Sequence, residues 1–153
     1  MSTLVLSIEI DAPAEQVFDA LVDWRGQDLW MPATTVRATH QAGIAVGGEI
    51  VAITGWGPLS VMDSMTITRW DVGERVDVEH TGSVIRGTAT MQVQALSDTR
   101  TRFTWTEDLD LPLGIAGRAG WIAAKPAIAL RLRFALRKFA KLVETGVLGV
   151  KVG

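Results

Sequence analysis

The sequence predicts an α+β domain in which a seven-stranded curved antiparallel sheet wraps around a long C-terminal helix, with two short helices after strand 1. Three observations carry this. The 153 residues fit a single domain, 1–153, by the usual size of about 100–200 residues. Between Thr34 and Leu111 the apolar residues recur with period two, broken only by tight turn signals. From Arg118 to about Thr145 the period becomes that of a helix.

The elements follow in order. Leu4, Leu6, Ile8 and Ile10 alternate with Val5, Ser7 and Glu9, a strand with one buried face. Asp11-Ala12-Pro13-Ala14-Glu15 starts a helix, because proline fits the first turn and acidic groups suit the positive end of the dipole. That helix carries Val17, Phe18, Leu21, Val22 and Trp24 on one side and is expected to end at Gly26, with one more helical turn over Gln27–Met31. Six strands are then expected at 35–41, 49–56, 60–71, 75–81, 84–96 and 100–111. The breaks between them are short and rich in Gly, Asp and Ser, which implies sequential antiparallel hairpins. The final helix has the stripe Trp121, Ala124, Ile128, Leu132, Ala135, Phe139 and Leu142, widened by Ile122, Ala129, Leu136 and Val143. Pro126 is expected to kink it or mark a later start, Gly146 to end it, and the tail from Val147 to fray.

Seven antiparallel strands cannot stay flat, and the long helix offers the one large apolar stripe available to cover the concave face. A curled sheet and a cylinder match imperfectly, and the space left between them is where a ligand is expected.

The order of elements, together with Ile8-Glu9-Ile10-Asp11-Ala12-Pro13-Ala14-Glu15-Gln16-Val17-Phe18, resembles the START-like, helix-grip (SRPBCC) superfamily. Within it the chain is most similar to the bacterial polyketide cyclase/dehydrase- and lipid-transport-like group. Met65-Thr66-Ile67-Thr68-Arg69-Trp70-Asp71, Phe103-Thr104-Trp105-Thr106-Glu107 and Leu111-Pro112-Leu113-Gly114 carry the same resemblance. It covers nearly the whole chain and implies a cavity for a hydrophobic ligand. It implies little about reaction, since one fold hosts carriers, sensors and cyclases.

Strand alternation assigns the inward faces. The candidate ligand contacts are Met65, Ile67, Val78, His80, Ala89, Met91, Phe103, Trp105 and Glu107 on the strands and Trp121 and Ile128 on the helix. Glu107 and His80 are the candidate catalytic residues. A carboxylate facing inward needs a partner, cavity water or a raised pKa. It reads as an acid/base or an anchor for a ligand hydroxyl, or else as a structural group tied to Arg118 or a backbone amide. His80 suits proton transfer near neutral pH, or is a hydrogen-bonded residue at a strand end. Counting back from the hairpins puts His80 beside Met65 and about 10–14 Å from Glu107, too far for direct relay though within reach of one large ligand. Asp63 and Arg69 are further inward polar candidates, and Trp56, Trp70, Trp105 and Trp121 are candidate stacking surfaces.

Composition narrows the chemistry. Apolar residues are 48% and charged residues 21%, an ordinary globular balance. The absence of cysteine excludes disulfides, thiolate catalysis, zinc–thiolate sites and iron–sulfur clusters. Two histidines leave little for a metal, no tyrosine hydroxyl is available, and no phosphate-binding loop, dinucleotide fingerprint or nucleophile elbow occurs, so neither metal nor cofactor is expected. The N-terminus lacks the basic region of a secretory signal, no run reaches the roughly 18 apolar residues of a membrane span, and a cytoplasmic protein is expected. The net charge of −2 divides unevenly: residues 1–117 hold 7 Lys/Arg and 16 Asp/Glu (−9), residues 118–153 hold 8 and 1 (+7). The two parts are expected to attract. Arg131, Arg133, Arg137, Lys138 and Lys141 lie opposite the apolar stripe, facing solvent or, in a sharper reading, making transient contact with anionic membrane or an acidic protein. Nucleic acid is not expected, and the chain is expected to be a monomer or homodimer.

Three functions are consistent with these features. The first is a carrier or sensor of a hydrophobic small molecule such as a lipid, polyketide or aromatic metabolite. The second is a cofactor-independent polyketide cyclase or dehydratase using Glu107 and His80 for proton transfer. The third is an interaction protein of stress or toxin type acting through the basic helix.

Overall fold

The computed structural model describes residues 2–110 and 114–150. Leu111, expected as an inward strand residue, Pro112 and Leu113 of the fourth resemblance motif, and the last three tail residues lie outside the described residues. The elements run β1 (Ser2–Ile10), α1 (Ala14–Leu21), a 3-10 segment (Trp24–Leu29), β2 (Thr34–His40), β3 (Glu49–Thr54), β4 (Val61–Asp71), β5 (Arg75–Thr81), β6 (Arg86–Ser97), β7 (Arg100–Leu109) and α2 (Gly114–Glu144). Short 3-10 turns at Gln41–Gly43 and Gly57–Leu59 fill two of the expected breaks.

All seven strands form one antiparallel sheet in the order β1-β7-β6-β5-β4-β3-β2. Sequential hairpins produce the run from β2 to β7, and β1 closes the other edge by pairing Ile10 with Thr101 and Ser2 with Leu109. The helix-grip architecture of the sequence reading is therefore the architecture of the molecule.

α2 divides functionally along its length. Ala135, Leu136, Phe139, Ala140 and Val143 in its second half are buried against the sheet. Phe139 meets Phe103 of β7 at a ring-centroid distance of 5.7 Å and Trp30 at 4.8 Å, and Trp30 meets Trp105 edge-on at 6.2 Å. Such aromatic contacts add about 0.5–1.5 kcal/mol each beyond their burial. This end is tied further by the Asp11 amide donating to Glu144 Oε2 at 2.8 Å and by Gln16 Nε2 donating to the Val143 carbonyl at 2.8 Å. The first half stands off the sheet, and Ile122 is 73% exposed rather than part of the buried stripe.

Four local expectations are corrected. α1 ends at Leu21, not Gly26, because Asp23 accepts from the Gly26 amide at 3.1 Å and starts the 3-10 segment. α2 begins at Gly114, a turn before Arg118, and continues through Pro126. The tail does not fray at Leu148, which is buried and packs beside Gly26. A register shift between Ile67 and Arg69 in β4 reverses the parity there. Arg69 consequently points outward and pairs with Asp71 at 2.7 Å, while Trp70 turns inward and meets Phe18 at 5.6 Å.

The close ion pairs Arg75–Asp77, Arg100–Glu9 and Arg102–Glu9 lie within the sheet. Lys125 and Arg131 of α2 donate to the Thr3 and Pro32 carbonyls, and Arg133, Arg137, Lys138 and Lys141 are exposed.

Gly87 of β6 has φ +120°, and a Cβ there would lie 2.0 Å from the Asp108 carbonyl oxygen. Gly120, on the exposed first half of α2, has open space around it. Gly87→Ala should therefore destabilise the fold by about 2–4 kcal/mol, whereas Gly120→Ala should stabilise it by about 0.5–1 kcal/mol. Urea denaturation of both variants checks the pair.

Candidate functional site

Under the first half of α2 the curved sheet encloses a cavity of about 370 Å³. Its floor is the middle of the sheet: Met65 of β4, Val78 of β5, Ala89 and Met91 of β6, and Trp105 of β7. Val36, Ile50 and Ala52 of β2 and β3 extend the floor, Leu4 of β1 closes one side, and Trp24, Gln27 and Met31 close another. Trp121, Ile128, Arg131 and Leu132 of α2 form the roof. The strand termini Thr54, Val61 and Leu109 line the cavity at one end of the sheet, with Ile85 from the turn between β5 and β6.

One polar cluster is set into this apolar wall. His80 Nδ1 lies 2.8 and 3.0 Å from the two oxygens of Asp63, and its Nε2 lies 3.1 Å from Glu107 Oε2. Trp105 Nε1 donates to Glu107 Oε1 at 2.8 Å. The His80 side chain is 4% exposed, and Asp63 and Glu107 are 15% exposed each. Burial by itself would lower the His80 pKa, but hydrogen bonds to Asp63 and Glu107 and their charges outweigh it and raise it from 6.5 to about 9. Near neutral pH the ring is therefore an imidazolium donating from both nitrogens, one to each carboxylate.

Register explains how three strands contribute to one cluster. His80 pairs with Met65 on one side and Gly87 on the other, and Glu107 pairs with Ala89. Between His80 and Glu107 therefore stand only Gly87 and Ala89 of β6. With no bulk above β6, the two side chains lean toward each other and meet. The expected 10–14 Å separation is corrected to 3.1 Å, because it measured backbone rows and ignored the reach of long side chains across a strand of small residues.

The sequence matches the family described as polyketide cyclase/dehydrase and lipid transport over residues 1–144. The chain belongs to this family. Among solved structures it is similar to TTHA0849 from Thermus thermophilus, with TM-score 0.78, 14% identity and coverage of 95% of this chain and 99% of that one. It is also similar to the Zhui aromatase/cyclase from Streptomyces sp. R1128, with TM-score 0.78, 12% identity and 95% coverage of both chains. A third similar structure is the Aha1 dimer from Colwellia psychrerythraea, with TM-score 0.67, 16% identity and coverage of 95% and 98%. At these identities the likeness concerns the fold. No curated protein matches the sequence.

Within this polyketide cyclase/dehydrase and lipid-transport member, nine of the eleven residues expected to contact ligand line the cavity: Met65, Val78, His80, Ala89, Met91, Trp105, Glu107, Trp121 and Ile128. The other two, Ile67 and Phe103, are fully buried in the core and lie outside the cavity wall, Phe103 against Phe139 in the gripping half of α2. Asp63 joins the cluster. Glu107 is held by His80 and Trp105, where Arg118 or a backbone amide had been the structural expectation. Of the candidate stacking surfaces, Trp105 and Trp121 reach the cavity, Trp70 packs on Phe18, and Trp56 is 78% exposed. Sequence reasoning missed the cavity-lining role of Trp24, Gln27 and Met31, which lie between β1 and β2, and the cavity-facing position of Arg131.

The raised His80 pKa links the cluster to stability. A group whose folded pKa exceeds its unfolded value stabilises fully below the unfolded value and loses that contribution as pH climbs through the folded one. The wild-type protein should therefore lose roughly 1–3 kcal/mol, after allowance for solvent screening, between pH 6.5 and about 9. Cysteine and tyrosine, which titrate in the alkaline range, are absent. Urea denaturation of wild type and His80→Gln across this window should show the slope in the former and its loss in the latter.

Proposed function

We propose that this chain binds a hydrophobic small molecule, of lipid, polyketide or aromatic type, in the cavity beneath α2, as a carrier or sensor. The single observation that carries the reading is an apolar cavity of about 370 Å³ with one buried polar cluster in its floor. That volume falls in the usual range of small-molecule sites, about 300–1,000 Å³, and a few fixed polar groups in an apolar wall are what orients a ligand there. The family's description supports the ligand class.

A second reading is favoured by the Asp63–His80–Glu107 contacts. Both ring nitrogens of His80 are engaged, so the groups free to take a proton from a ligand are the carboxylate oxygens facing the cavity. Glu107 is then the base, and His80 fixes its orientation while stabilising its charge. This is the equipment of a cofactor-independent cyclase or dehydratase that removes a proton next to a carbonyl and holds a flexible chain in one shape.

The test is to block the floor. Ala89→Phe places a ring between His80 and Glu107. Native mass spectra of wild-type protein purified from several hosts should show an added mass that Ala89→Phe lacks. A matching ligand at about 100 times its Kd should stabilise wild type by about 2.7 kcal/mol. If no added mass appears and no lipid, polyketide or aromatic library member shifts the melting temperature, the binding reading is wrong. Glu107→Gln that retains binding but loses turnover of a β-keto probe favours the second reading; unchanged turnover removes it.

A further inference from the structure

Resting on the cavity-binding reading, we infer that the cavity selects neutral or cationic ligands carrying a hydrogen-bond donor and rejects ligands that present a carboxylate, because Asp63, His80 and Glu107 expose negatively charged acceptors in the floor of a largely apolar wall.

The charge count supports this whichever form His80 takes. Two carboxylates and an imidazolium sum to one negative charge, and with a neutral ring the sum is more negative. The donors of the cluster are consumed within it: His80 Nδ1 faces Asp63, His80 Nε2 faces Glu107, and Trp105 Nε1 is committed to Glu107. What remains is acceptor capacity, since each carboxylate offers about four lone-pair sites and these contacts use only part of it. A phenol, enol, alcohol or ammonium group meets that capacity directly and gains a charge-assisted hydrogen bond. A carboxylate meets like charge with little water between, where repulsion is strong, and finds no free donor on the cluster.

The other charged side chain of the wall is Arg131, on the helix side, where it donates to the Pro32 carbonyl. An acidic ligand would have to sit against this roof, where it must draw the guanidinium from its backbone partner, or against the neutral Gln27 amide, in either case away from the cluster. The same reasoning turns the class of lipid or metabolite toward hydroxylated or amino compounds and away from free fatty acids.

Three probes of one ring system test this: 2-naphthol (uncharged near neutral pH), naphthalene and 2-naphthoate, titrated against the full chain with tryptophan fluorescence and calorimetry. In wild type 2-naphthol should bind at least about tenfold tighter than 2-naphthoate, with naphthalene between them. In Glu107→Gln and in Asp63→Asn, each checked for folding by circular dichroism, the difference should fall to about threefold or less. Binding of 2-naphthoate as tight as that of 2-naphthol in wild type would overturn the inference and leave the cavity reading standing. A difference that persists undiminished in both folded variants would overturn it too. Failure of all three probes to bind would overturn the cavity reading, and this inference with it.

Discussion

Two small residues of β6, Gly87 and Ala89, govern the chemistry of this molecule. They occupy the positions between His80 of β5 and Glu107 of β7. Any larger side chain would stand between those groups and leave Glu107 buried without its ring partner, while His80 would keep Asp63 of the adjacent β4. With β6 bare at that level, the imidazole spans the gap and meets both Asp63 and Glu107. Gly87 is doubly constrained, because its φ of +120° and the 2.0 Å approach of the Asp108 carbonyl to a would-be Cβ exclude other residues. Backbone geometry, cavity space and electrostatics converge on one glycine.

The second organising feature is the division of α2. Its second half grips the sheet through Phe139, Leu136 and Val143, and the first half roofs the cavity through Trp121 and Ile128 without closing on the sheet. A helix that gripped along its whole length would leave no cavity. The exposed cations Arg133, Arg137, Lys138 and Lys141 sit on the gripping half, beside the end tied by Asp11 and Glu144. The cavity lies beneath the stretch from Trp121 to Leu132.

Much of the fold was legible in the sequence, because period-two alternation with tight breaks constrains a sheet strongly and a 3.6 period constrains a helix. The strand containing Met65 and Ile67 shows where this stops. A single register shift after Ile67 sends Arg69 out and Trp70 in, and no alternation rule announces a bulge. In the site, alternation placed His80 and Glu107 on the inward face but could not place them in contact. Contact depends on side-chain reach over Gly87 and Ala89, a property of three strands at once. Gln27 and Met31 escaped because a short 3-10 segment and the residues after it have no period to read, and Trp24 reads as helix packing because the end of α1 at Leu21 is not visible in the sequence. The small size of Gly87 and Ala89 is plain in the sequence, and its effect on the polar pair emerges only with the register.

The chemistry of the site rests on His80 as a doubly hydrogen-bonded imidazolium bridging Asp63 and Glu107. Nitrogen-15 NMR of the histidine ring reports this directly, since each ring nitrogen's chemical shift distinguishes a protonated from an unprotonated site. The account predicts that both His80 nitrogens carry protons at neutral pH and that the ring titrates near pH 9. A single protonated nitrogen at neutral pH, with a midpoint at or below 6.5, would contradict it.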